Sequence, residues 1–127
     1  MRSICVPLTV VALLTQGCSR APLACVGHGG NQAAAPVVEL FQAPIGLQGG
    51  IGRGHEAVST SSEEAQAYYD QGLAFLYSYD WIHAGRSFNE ALRRDPNLGM
   101  AYLGLSYASS GFADQEFAET MVQRAST

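Results

Sequence analysis

The sequence predicts an all-α fold of antiparallel helix pairs that follows a largely irregular amino-terminal segment. In the second half of the chain, apolar and small residues recur at an offset of thirty-four positions. That period is typical of helical solenoids, in which each helix pair buries its apolar face against the next. Helix-capping residues precede the periodic stretches, and Asp95-Pro96 and Gly111 separate them.

The repeat has two copies, predicted at 65–98 and 99–127 within a helical domain at 59–127. Six residues are identical at the thirty-four-residue offset: Ala67/Ala101, Tyr68/Tyr102, Ala74/Ala108, Asp80/Asp114, Ala84/Ala118 and Ala91/Ala125. The second copy stops before a proline equivalent to Pro96. We therefore expect about four helices in two repeats, the second of them truncated.

The first helix has a strong start signal. Ser61 and Glu64, and also Thr60 and Glu63, have the spacing of a capping box. Apolar residues follow at helical spacing, and we expect the helix to end near Ser78.

Three further helices are predicted, each with a capping residue before it. The expected spans are 81–94, 98–110 and 115–125, with Asp80, Asn97 and Asp114 as the respective caps. Pro96 ends the helix at 81–94, and Gly111 ends the helix at 98–110. Small residues should let neighbouring helices approach closely, while large aromatic residues fill the space between them. The small residues are Gly72, Ala84 and Ala91, and the aromatic ones are Phe75, Trp81 and Phe88.

The pattern of the first copy resembles a tetratricopeptide repeat. The matching positions are Tyr68, Gly72, Phe75, Ala84, Phe88 and Pro96. Gln71 departs from the usual leucine, and the second copy has Leu105 in place but Ser109 where an aromatic residue is usual. The run from Ala57 to Leu73 also resembles the first repeat of a group of exported bacterial tetratricopeptide proteins. The resemblance implies peptide or protein binding and scaffolding, without an enzymatic activity or a cofactor.

In this family the first helix of each repeat lines a concave groove. The resemblance places seven residues there: Gln66, Tyr69, Leu73, Leu76, Met100, Leu103 and Tyr107. The row is apolar and aromatic and lacks the basic residues with which some members grip a carboxylate, so an extended hydrophobic peptide fits it best. As an alternative, the chain's own segment 37–47 or a neighbouring repeat would cover these side chains.

Residues 1–17 have the features of an export signal, with Arg2 before an apolar core that is too short for a stable membrane anchor. The stretch from Leu14 to Cys18 resembles a bacterial lipobox, which implies that Cys18 becomes the lipidated first residue of an envelope lipoprotein. Ordinary cleavage, for example after Ala24, would instead leave a soluble exported protein. Cys18 could then pair with Cys25 in a disulfide that closes a small loop.

Residues 18–58 are rich in glycine and proline and show no lasting period, which predicts a mostly irregular tether. The apolar runs 37–41 and 45–47 are candidates for a short strand or turn. The glycine run 49–54 lacks the strand, the helix and the lysine of a phosphate loop, so a flexible linker is expected. Cys25, His28 and His55 do not form a metal-ligand pattern.

The charge distribution argues against nucleic acid as a partner. The net charge is −4, and residues 59–127 hold four arginines against nine acids, without a basic stripe. No nucleophile, base and orienting residue form a recognisable set. The candidate acids are expected at solvated positions or at helix caps, and they are Asp70, Glu90, Asp95, Glu116 and Glu119.

Together these features predict an exported, envelope-located helical-repeat adaptor, anchored to the membrane by a lipid, that binds a protein or peptide. The alternative is an accessory or truncated part of a larger envelope enzyme or enzyme complex. Two repeats are fewer than such an array usually needs. We therefore expect either a longer parent protein or self-association through the carboxy-terminal helix pair.

Overall fold

The structure, a computed structural model, describes residues 35–52 and 54–127. Over these residues it contains five α-helices and no strand, which confirms the all-α prediction for this part of the chain. The helices are α1 (Val37–Gln42), α2 (Glu63–Tyr77), α3 (Trp81–Arg94), α4 (Gly99–Ser109) and α5 (Gln115–Ala125). The predicted export signal, Cys18, Cys25 and His28 lie outside the described residues.

Side-chain caps fix the starts of α2 and α3. Ser62 caps α2, because its hydroxyl accepts a hydrogen bond from the Ala65 amide at 3.1 Å. The two capping boxes predicted around it are therefore wrong by one or two residues, and the Thr60 hydroxyl instead donates to the Asp95 carboxylate at 2.6 Å. Asp80 caps α3 as predicted.

The start of α4 differs from the prediction, whereas that of α5 agrees with it. No side chain caps α4, so the prediction of an Asn97 cap is wrong. Leu98 occupies the capping position and is 1 % exposed, which indicates that burial of this leucine decides the local geometry. After α4 the chain tightens into a 3₁₀ turn at Ser110–Phe112, and Asp114 then caps α5 through the Phe117 amide at 3.0 Å.

The Phe88 ring of α3 lies at the centre of the core. It is completely buried and touches both Gly72 of α2 and Gly104 of α4. A Cβ atom at Gly104 would lie 2.7 Å from the ring, which is too close for an unstrained contact. The Phe88 ring is thus held between two glycines on different helices. The sequence predicted the close approach at Gly72 but not the one at Gly104.

The apolar run 37–41 forms helix α1, where the sequence predicted a strand or a turn. Phe41 is 2 % exposed and packs directly on Gly85 of α3. Its ring makes edge contacts with the rings of Phe112 and Phe117, at centroid distances of 5.9 and 5.8 Å. These tertiary contacts explain why six residues form a helix that would be too short to persist alone.

Side chains of α3 satisfy the carbonyl groups at the end of α1. The hydrogen bonds run from Arg86 Nε to Leu40 O (2.9 Å), from Asn89 Nδ2 to Phe41 O (3.2 Å) and from Arg93 Nη2 to Gln42 O (2.8 Å). Helix termini leave such carbonyls without intrahelical partners, and here a neighbouring helix supplies all three donors.

Gln71 holds the chain that follows α1. Its side-chain oxygen accepts from the Gln48 amide at 2.7 Å, and its nitrogen donates to Gly46 O and to the Ser87 hydroxyl at 3.1 Å each. Gln71 is 5 % exposed, so these bonds account for a polar residue where a repeat usually has leucine. The described part of the predicted tether therefore packs on the helices and does not extend into solvent.

Candidate functional site

An open apolar groove lies between α2 and α4. Its volume is about 400 Å³. Six of the seven residues predicted for the groove line it: Tyr69, Leu73, Leu76, Met100, Leu103 and Tyr107. Glu56, Tyr77 and Gly104 complete the lining. The helical spacing of the sequence thus brings one row from α2 and one from α4 to the same surface.

The groove has a buried floor and an exposed rim. Tyr69 and Leu73 are 2 % and 8 % exposed and form the floor, where Tyr69 packs on the Phe88 ring at a centroid distance of 5.7 Å. At the rim, Tyr77 is 73 % exposed and Tyr107 is 65 % exposed. Large exposed aromatic side chains beside an apolar floor are typical of surfaces that bind other molecules.

The Tyr69 phenol remains protonated over the physiological range. Burial, followed by the negative charge of the Glu56 carboxylate, raises the pKa of Tyr69 to about 12. The floor therefore carries a neutral phenol, whose hydroxyl can donate one hydrogen bond to a ligand or to Glu56.

Gln66, the seventh predicted residue, does not line the groove. Its amide oxygen accepts from the Val58 amide at 3.1 Å, and its nitrogen donates to Glu56 O at 2.8 Å and to Asp70 Oδ1 at 2.9 Å. Gln66 therefore fastens the preceding segment to α2, and Glu56 from that segment reaches the groove.

Glu56, like Tyr77 and Gly104, was not among the predicted groove residues, and it is the one lining residue from outside the helices. Asp70 of α2 accepts its backbone N–H at 3.3 Å and also binds the neighbouring His55 ring at 2.7 Å. No periodic pattern marks this position, because the segment is irregular. Only the polar residues of α2 that hold it, Gln66 and Asp70, could have suggested that the segment docks there.

The chain's own segment 37–47 does not cover the groove. The first part of this segment, α1, packs on α3 through Phe41, and the second part is held by Gln71. Neither part lines the groove. The alternative in which this segment fills the groove is therefore wrong for the described residues.

The candidate acids belong mainly to structural contacts. Glu90, which was expected to be solvated, is 5 % exposed and pairs with both Arg93 and Arg94. Arg94 also pairs with Glu64 at 3.0 Å, and its guanidinium carbon lies 4.2 Å from the centre of the Tyr68 ring. The expectation for Glu90 is thus wrong, because two arginines one helical turn away allow its burial.

Residues 35–52 and 54–127 contain no group of three or more His, Cys, Asp or Glu residues placed to hold a metal ion. His83 bonds the carboxylate of Asp80 at 2.8 Å and lies against the Phe75 ring. Within the same residues, no helix combines the length and the apolar character that crossing a membrane requires.

Comparisons with known proteins give this chain no relative: no protein-family model, curated protein or solved structure matches it. The groove between α2 and α4 is therefore the feature of the molecule that bears on its function.

Proposed function

We propose that this chain is a helical-repeat binding protein that holds an extended peptide segment of a partner protein in the groove between α2 and α4. One observation carries the proposal. Side chains of two helices, spaced for a repeat, converge on an open apolar surface whose rim tyrosines are mostly exposed. Rigid aromatic side chains around a desolvated floor are the usual anchors of peptide recognition.

The proposed architecture is a pair of tetratricopeptide-type repeats, 65–98 and 99–127, with α2 and α4 as the first helices. The three-residue turn between α2 and α3 and the contact of Phe88 with Gly72 support such pairing. An exported, envelope location with a lipid on Cys18 completes the proposal and depends on the resemblance in residues 1–18.

Selection from a phage-displayed library of random dodecapeptides tests the binding function directly. We expect the full chain to enrich peptides with two or more large apolar residues, and Tyr107→Ala to bind the enriched peptides at least about tenfold more weakly. Tyr79→Ala is the matched control, because Tyr79 is 76 % exposed but does not line the groove. Equal losses in the two variants, or no enrichment, would contradict the proposal.

Lipidation has a separate test. Metabolic labelling with an alkyne-tagged fatty acid should mark the native chain and not Cys18→Ala. Label that persists in the variant would remove the lipoprotein part of the proposal while leaving the groove unaffected.

A further inference from the structure

We infer that the groove selects peptides in which a basic residue flanks the apolar anchor, and that Glu56 is the residue that makes this selection. The inference rests on the proposed peptide binding and adds the charge of the ligand. It follows from where Glu56 lies, from how α2 holds it and from the absence of a cationic partner for its carboxylate among residues 35–52 and 54–127.

The groove carries charge of one sign only. Its lining contains a single carboxylate, that of Glu56, and no Arg or His. Among the described residues, no cationic side chain pairs with this carboxylate. Glu56 is exposed, so its carboxylate is accessible to a cation of the ligand, and a cleft with charge of one sign focuses the electric field toward such a cation.

The backbone of Glu56 is held at both of its hydrogen-bonding groups. Its N–H donates to Asp70 Oδ1 at 3.3 Å, and its carbonyl accepts from Gln66 Nε2 at 2.8 Å. Gln66 and Asp70 are also bonded to each other at 2.9 Å. Because the backbone is fixed before a ligand arrives, less conformational entropy is lost when the carboxylate binds a cation.

Two further features favour a basic ligand. The exposed rings of Tyr77 and Tyr107 lie in the same lining, and aromatic faces attract ammonium and guanidinium groups. Glu56 and the floor residue Tyr69 belong to the same lining, so a basic residue beside an apolar anchor on the floor can reach the Glu56 carboxylate.

Three terminally blocked peptides test the inference with the full chain. They share one apolar core of leucine and phenylalanine and differ at one flanking residue, which is lysine, glutamine or glutamate. We expect the lysine peptide to bind about fivefold more tightly than the glutamine peptide, and the glutamate peptide to bind most weakly. The preference should shrink as the salt concentration rises.

Variants of Glu56 show whether this residue makes the selection. Glu56→Gln should bind all three peptides equally, with the affinity that the native chain has for the glutamine peptide, and Glu56→Lys should reverse the order. Glu119→Gln is the matched control, since Glu119 is an exposed carboxylate of α5 outside the groove, and it should keep the native preference.

The outcomes separate this inference from the proposed function. If the native chain binds the three peptides equally, or if Glu56→Gln keeps the full preference, the charge selection is overturned and groove binding stands. If no apolar peptide binds, the proposed function fails. Sedimentation that shows a dimer of the chain, lost in Tyr107→Ala, would make a second copy the occupant and overturn the inference.

Discussion

The rest of the chain covers one apolar face of the helices and leaves another apolar face open. On the face of α3, the chain's own helix α1 inserts Phe41 and is held by three side-chain bonds to its carbonyls. On the face between α2 and α4, the described residues leave Tyr77 and Tyr107 mostly exposed. On the covered face, long polar side chains of α3 donate hydrogen bonds to backbone carbonyls of α1. The open groove is lined by apolar and aromatic side chains and one carboxylate. The α3 face thus holds the protein's own chain, and the exposed groove supports the proposal that it binds the side chains of a partner.

The largest expected contrast is between the aromatic residues of the two faces. Phe41→Ala should lower the free energy of unfolding by about 3 kcal/mol, because a buried ring is removed. Tyr107→Ala should change it by less than about 0.5 kcal/mol, because Tyr107 is mostly exposed. Urea denaturation followed by circular dichroism measures both values.

Peptide binding should show the opposite order for these two variants. Tyr107→Ala loses affinity for library-selected peptides, while Phe41→Ala keeps it at temperatures where the variant is folded. Similar stabilities for the two variants would show that the segment 37–47 does not cover the α3 face in solution, and the comparison would fail.

A smaller effect is expected from the two glutamines of α2 that hold the preceding segment. Gln71→Ala should cost about 2 kcal/mol, since it removes three hydrogen bonds of a buried side chain, to Gly46, Gln48 and the buried Ser87. Gln66→Ala should cost about 1 kcal/mol, because its surroundings are partly exposed. Hydrogen exchange provides a local readout, and the amide of Gln48 should exchange faster only in the Gln71 variant. Faster exchange in both variants would mean that the segment docks as one cooperative unit.

These glutamines also show what the sequence could predict and what it could not. The repeat pattern predicted α2, α3, α4 and α5 closely, because helices leave a period in the sequence. The resemblance of this pattern to a tetratricopeptide repeat placed six side chains in one groove. The same resemblance placed Gln66 in the groove and treated Gln71 as a departure from the repeat. The partners of both residues lie in the irregular segment before α2, and tertiary contacts of this kind leave no period in the sequence.

The segment before α2 was the least predictable part of the chain. Its glycine and proline content indicates a tether, and only Phe41 and its neighbours hint at burial. The helix α1 depends on donors from α3 that lie more than forty residues further along the chain, such as the bond from Arg86 to Leu40. Local propensity could not predict a helix whose stability is supplied from that distance.

The smallest effect on stability at neutral pH is expected from the raised pKa of Tyr69, on the groove floor. The pKa of Tyr69, at about 12, lies above the ordinary value near 10, so the folded state holds this proton more tightly than the unfolded state. The resulting stabilisation is complete below about pH 10 and is lost as the pH rises through 12.

Ultraviolet absorbance resolves this titration. Tyr69 should ionise in a phase near pH 12, and this phase should disappear in Tyr69→Phe. Glu56→Gln should lower the pKa of Tyr69, because the carboxylate contributes to the shift. An unchanged titration in that variant would place the carboxylate too far from the floor to influence a ligand there.

Under the proposed function, the contact of Phe88 with Gly72 and Gly104 bears on how the groove could acquire new ligands. The Phe88 ring sets the distance between α2 and α4. The width of the groove is therefore determined by this core residue and not by the side chains that face outward. The exposed residues Tyr77, Met100 and Tyr107 can therefore be exchanged without moving the helices beneath them. The core thus fixes the width of the groove, while the exposed residues would determine which ligand binds. Ligand specificity could therefore change while the fold stays constant.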